Sequence, residues 1–75
     1  MNIKESHFLS ELGNKINGIQ INSGISLEEL STLCGIDVET LKLIEAGSIS
    51  VLLMDFVRIA KALNVPPSTL VDFTK

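Results

Sequence analysis

Two short helical segments joined by a glycine turn constrain this chain more than any other feature. Ser26 is followed three residues later by Glu29, a capping box in which each side chain satisfies an unpaired backbone N–H at a helix start. Leu30 and Leu33 follow as inward-facing residues. Gly35 comes directly after Cys34, where a short helix has to stop and a residue without Cβ adopts the left-handed conformation at no steric cost. Asp37 is a good N-cap for a second helix, which carries Leu41 and Ile44 on its inner face and ends at Ala46-Gly47. The turn between the two is Gly35-Ile36.

Apolar stripes on either side supply partners for this pair. Leu9, Leu12, Ile16 and Ile19 recur at three- and four-residue steps and predict an amphipathic helix from Ser6 to Asn22, ended by Ser23-Gly24. Gly13 and Gly18 inside it each cost up to about 1 kcal/mol relative to alanine, so packing has to hold this helix. From Ser50 a fourth helix places Leu53, Phe56, Ala60 and Leu63 on one side, and Asn64-Val65-Pro66-Pro67 stops it. Pro67 suits a first helical turn, so Ser68 to Phe73 reads as a short fifth helix. The expected fold is all-α, five helices in one domain over residues 1–75, with the two-helix unit at 26–46.

Composition narrows the function. Seventy-five residues, 45% of them hydrophobic, close one core and not two. Ordering them costs roughly 1.5 kcal/mol each, so a chain without a disulfide or metal staple needs efficient packing or a second copy. The lone Cys34 cannot form an internal disulfide and no export signal opens the chain, which points to a reducing cytoplasm. Apolar runs such as Val51 to Met54 fall far short of the roughly 20 residues that span a bilayer. His7 and Cys34 are the only residues of their kinds and the glycines form no phosphate loop, so neither a metal site, a bound cofactor nor an enzyme is expected. Cys34 reads as a small buried hydrophobe and His7 as a surface residue. A net charge of −3 repels a phosphate backbone at long range, which shifts the question to where the few cations sit.

Gly24-Ile25-Ser26, Leu30, Gly35-Ile36-Asp37, Leu41, Ile44-Glu45-Ala46-Gly47 and Ala60-Lys61-Ala62-Leu63 together resemble the lambda-repressor/Cro family of helix-turn-helix domains over nearly the whole chain. The resemblance implies a small sequence-specific DNA-binding transcriptional regulator acting on double-stranded DNA, with the helix at 38–46 in the major groove and the preceding helix across the phosphates. By the same resemblance, Ser26, Leu27, Asp37, Val38, Glu39, Thr40, Lys42, Leu43 and Ser48 are the DNA-facing residues. Family members commonly pair through their C-terminal region, which implies a homodimer. Val51, Leu52, Ile59, Leu70, Val71 and Phe73 are the candidates for its interface.

Several positions depart from the family pattern. Base readers are usually Arg, Lys, Gln or Asn, yet here the outward residues are Val38, Glu39, Lys42 and Leu43. Val38 can touch a thymine methyl, Glu39 can accept from a cytosine amino group, and Lys42 can reach a guanine or a phosphate. Leu27 and Ser48-Ile49 stand where the family has glutamine and basic residues, and Asn17 and Gln20 replace first-helix arginines. Glu45 resembles the family's structural glutamate, with Gln20 at the position of its usual arginine partner. Leu27, Val38, Leu43 and Ile49 form either an exposed apolar patch for a protein partner or scattered surface residues. The patch reading makes the chain a protein-interaction module of antirepressor or antitoxin type. The further apolar residues of the fourth helix, Val51, Leu52, Met54, Val57 and Ile59, either face a second copy or complete the monomer core.

Overall fold

The computed structural model describes residues 3–74, and five helices with no strand make up the described chain. They are α1 (Ile3–Asn22), α2 (Leu27–Cys34), α3 (Val38–Glu45), α4 (Leu53–Ala62) and α5 (Pro67–Leu70). No helix among the described residues is long and apolar enough to cross a membrane.

The caps that delimit α2 and α3 form as their sequences require. Ser26 Oγ accepts from the Glu29 N–H and Glu29 Oε1 accepts from the Ser26 N–H, both at 3.0 Å. Gly35 ends α2 with φ of 74°, the left-handed value that glycine adopts freely. Two residues on, Asp37 Oδ2 accepts from the Thr40 N–H at 3.1 Å and starts α3. Short helices contribute little stability of their own, so their geometry rests on such caps and on packing.

The core runs through all five helices: Leu12 and Ile16 of α1, Leu30 and Cys34 of α2, Ile36 in the turn, Leu41 and Ile44 of α3, Ile59, Ala60 and Leu63, and Leu70 of α5. α1 packs on α3 and α5, α2 on α3 and α4, and α4 on α5. The pair α2–α3 is thereby braced from both sides, which fixes the pose of α3.

Three sequence expectations need correction. Leu33 is 60% exposed, because α2 turns Leu30 and Cys34, four residues apart, toward the core and leaves Leu33 off that stripe. Leu53 is 76% exposed, since α4 begins there and its first turn projects past the core; the inward stripe is Phe56, Ile59, Ala60 and Leu63. Helix boundaries shift as well. α1 begins at Ile3 rather than Ser6, α4 at Leu53 rather than Ser50, and α5 stops at Leu70, three residues before Phe73. Phe73 instead meets Phe8 of α1 edge-to-face, ring centres 5.8 Å apart, and ties the end of the chain to its first helix.

Candidate nucleic-acid interface

With Leu41 and Ile44 fully turned inward, the 3.6-residue period leaves Glu39, Lys42 and Leu43 on the outer side of α3. Val38 and Thr40 sit half-buried at its first turn. Lys42 Nζ lies 3.5 Å from Glu39 Oε1, an ion pair one helical turn long with both side chains open to solvent. Asp37 and Thr40 are occupied with each other. Besides the backbone cap, Thr40 Oγ1 donates to Asp37 Oδ1 at 2.8 Å. Thr40's hydroxyl and its N–H together hold the Asp37 carboxyl below its ordinary value.

The α2 side of the unit is similarly committed. Ser26 is engaged in its capping box, and the backbone N–H and then the hydroxyl of Ser26 lower the Glu29 carboxyl. Leu27 is half-buried and packs against the core, as does Ile49. Ser48 is exposed, its N–H closing on the Leu43 carbonyl at 2.9 Å. Of the four residues of the supposed apolar patch, only Leu43 is exposed, so no continuous patch forms on this side. Between residues 26 and 48, Lys42 is the single cation against five carboxylates, Glu28, Glu29, Asp37, Glu39 and Glu45.

The partner of Glu45 also differs from expectation. Asn17 Nδ2 donates to Glu45 Oε1 at 3.0 Å, whereas Gln20 Nε2 turns to the Ile25 carbonyl at 3.0 Å. Asn17 and Gln20 are three residues apart on one face of α1, so spacing alone admits either as the partner. What decides is that Gln20 reaches the loop entering α2 and braces it. Sequence reasoning thus missed Asn17 as the residue that anchors the end of α3.

The candidate interface residues divide cleanly. Ile59 and Leu70 are fully buried inside one chain and present nothing to a second, because α4 and α5 use them to pack against the rest of the core. Leu52 and Val71 are exposed, while Val51 and Phe73 are half-buried against the core. Leu53, Met54 and Phe8 add to the exposed apolar surface nearby. An open groove of 620 Å³ runs through it, lined among others by Phe8, Leu12, Val51, Leu53 and Phe56.

Other chemistry-bearing residues are dispersed. Cys34 is buried, and burial pushes its thiol up. His7 lies on the surface of α1, 3.8 Å from Glu11. Among the described residues no group of three or more His, Cys, Asp or Glu side chains is placed to hold a metal ion.

Residues 20–70, which include the whole capped α2–α3 unit and its α4 brace, match the model of the HTH_3 helix-turn-helix family. The chain belongs to this family. As an HTH_3 protein of the lambda-repressor/Cro type, it is a DNA-binding regulator, and the rival protein-interaction reading gains no support from the match. Solved structures agree. The restriction-modification controller protein C.AhdI from Aeromonas hydrophila is 29% identical, with a TM-score of 0.81 over 83% of this chain and 94% of that one. An HTH_3 family transcriptional regulator from Vibrio cholerae is 26% identical, with a TM-score of 0.84 over 88% of this chain; the match covers 37% of that longer chain. No curated protein matches the sequence.

Proposed function

We propose that this HTH_3 chain acts in the cytoplasm as a homodimeric transcriptional regulator that seats the α3 helices of its two copies in major grooves one helical turn apart. The observation that carries this reading is the rigid presentation of α3. Caps at Ser26 and Asp37, the turn at Gly35 and the α1 anchor at Asn17 fix the helix, with Glu39, Lys42 and Leu43 outward. Likeness to a controller protein and to a transcriptional regulator supports a regulatory role.

Pairing follows from the apolar surface around Leu52, Leu53 and Met54. Small monomeric domains rarely leave that many large apolar side chains open together, and a second copy covers them in the self-complementary way a two-fold dimer requires. Two weak reading heads on one duplex also offset the shortage of cations, because the second contact becomes intramolecular.

Phosphate contacts release counterions, so affinity falls with salt in proportion to their number. One cation in the reading unit gives a shallow slope. The test is binding to a mixed-sequence duplex across a salt series, with the mass in solution measured at the same concentrations. A dimer that binds with salt-sensitive affinity is the expected result; a monomer that ignores duplex even at low salt would refute the proposal.

A further inference from the structure

We infer that the Glu39–Lys42 ion pair reads a single C·G base pair in each half-site, as one unit, with Glu39 facing the cytosine and Lys42 the guanine. The inference rests on the DNA-binding reading above and specifies what α3 recognises.

Elimination leaves this pair alone to do the reading. Among the polar side chains of α3 and its cap, Asp37 and Thr40 satisfy one another, and Glu45 is held by Asn17 at the inner end. Glu39 and Lys42 remain, exposed and, among the described residues, joined only to each other, with side-chain exposures of 82% and 58%. Their geometry then suggests the target. The carboxylate oxygen and the ammonium nitrogen are 3.5 Å apart, an acceptor beside a donor. A C·G pair displays the complementary couple in the major groove: the cytosine amino group is a donor, and the guanine O6 to which it is paired is an acceptor roughly 2.9 Å away. Glu39 accepts the amino hydrogen left free in the groove while Lys42 donates to O6 and to the adjacent N7. The protein pair spans nearly the same distance as the atoms it would meet.

An A·T pair also carries an amino donor next to an acceptor, but it divides its acceptors, N7 on one side of the amino group and O4 on the other, with the thymine methyl beyond. Lys42 finds two adjacent acceptors only at guanine. The ion pair also lessens the cost of bringing a carboxylate against DNA, since Glu39 enters the groove already partnered and the pair as a whole carries no net charge. Leu43, 45% exposed beside the pair, adds an apolar contact suited to a neighbouring thymine methyl.

The experiment is selection from a randomised duplex pool with the full-length protein, comparing wild type, Glu39→Gln and Lys42→Met. Both changes fall on exposed side chains, and a melting curve of each variant, expected to match wild type, is the check that the fold is kept. Wild type should enrich one C·G pair per half-site. Glu39→Gln, which removes the charge but keeps the size, should lose cytosine discrimination there by about tenfold or more, because glutamine's paired donor and acceptor favour adenine. Lys42→Met should lose the guanine preference at the same base pair. The inference is overturned if Glu39→Gln raises affinity for all sequences and leaves the selected site unchanged, since Glu39 is then only a repulsive charge. It is equally overturned if the two variants alter different base pairs. Failure of wild type to enrich any sequence while still binding DNA in a salt-sensitive way removes the base-reading inference alone, whereas no binding at all removes the parent reading with it.

Discussion

Asn17 Nδ2 on α1 donates a hydrogen bond of 3.0 Å to Oε1 of Glu45, the last residue of α3 and 28 positions further along the chain. Glu45 is half-buried and its second oxygen, Oε2, is buried with no bond of its own among the described residues, so Asn17 is the donor that offsets its desolvation. Asn17→Ala should therefore lower stability by about 1–2 kcal/mol. For a domain this small that is a fall of roughly 4–8 °C in Tm per kcal/mol. Asn14→Ala, on the exposed side of the same helix, is the control and should change little. Equal effects in the two melting curves would mean that the bond contributes nothing.

Two glycines in α1 predict opposite outcomes for the same substitution. A Cβ on Gly13 would stand 2.5 Å from the Glu45 carbonyl oxygen and 2.6 Å from that of Ile44, backbone atoms that cannot swing aside. A Cβ on Gly18 meets nothing within 4 Å. Gly13→Ala should thus destabilise by about 1–3 kcal/mol through overpacking, even after its gain in helix propensity. Gly18→Ala should stabilise by about 0.5–1 kcal/mol. Urea denaturation of both variants checks the signs; a stabilised Gly13→Ala would show that α1 and α3 are not in backbone contact.

The same two residues mark how far the sequence was legible. Helical periodicity treats Gly13 and Gly18 alike, as costs to be met by packing. Only the approach of α3 distinguishes a required glycine from a dispensable one. Local signals are legible where the chemistry is local: the capping box at Ser26, the left-handed stop at Gly35 and the cap at Asp37 involve residues at most four positions apart. Sequence alone misplaces Leu33 and Leu53, because a hydrophobic residue near a stripe reads as inward whether or not a neighbour covers it. Ile59 and Leu70 look like interface residues in the sequence for a related reason, although both are buried within one chain. An apolar excess on α4 shows that more than one side is used, without saying whether the same chain or another copy does the covering. The outer face of α3 is legible at Glu39, Lys42 and Leu43, but not at Val38, which is half-buried, nor in its pairing. Lys42 and Glu39 are three apart, a spacing that permits the contact, and Asp37 and Thr40 are three apart as well. Which of these polar groups remain available follows from the bonds they form.

Acid should weaken the fold through its caps. Asp37 and Glu29 have carboxyls lowered in the folded state by hydrogen bonds to Thr40 and Ser26. A group lowered on folding is protonated first in the unfolded chain, so its contribution is complete above its ordinary value, about 4, and lost as pH falls through the lower folded value. Tm should hold steady as the buffer is brought down to about pH 4.5 and then decline. Asp37→Asn keeps a side chain that caps helices well but cannot titrate, so its curve should fall less steeply over that lower range. Parallel curves for the two proteins would remove Asp37 from the acid response.

A charge placed on the apolar surface should separate the dimer from the fold. Leu52 and Leu53 are 71% and 76% exposed, so Leu52→Glu or Leu53→Glu removes no core contact and should leave Tm of the isolated chain nearly unchanged. In a two-fold assembly each substitution appears twice and close to its own copy, which adds like-charge repulsion to the lost burial. Association should weaken by at least about tenfold, the equivalent of roughly 1.4 kcal/mol, and sedimentation velocity over a concentration series reads this directly. Ile59→Glu is the contrasting variant. With its side chain fully buried, the new carboxylate has no partner, and the domain should lose its cooperative melt outright. If both leucine variants remain dimers of wild-type affinity, the pairing surface lies elsewhere. If they become monomers and also lose most of their affinity for duplex DNA, the two reading heads act together on one site.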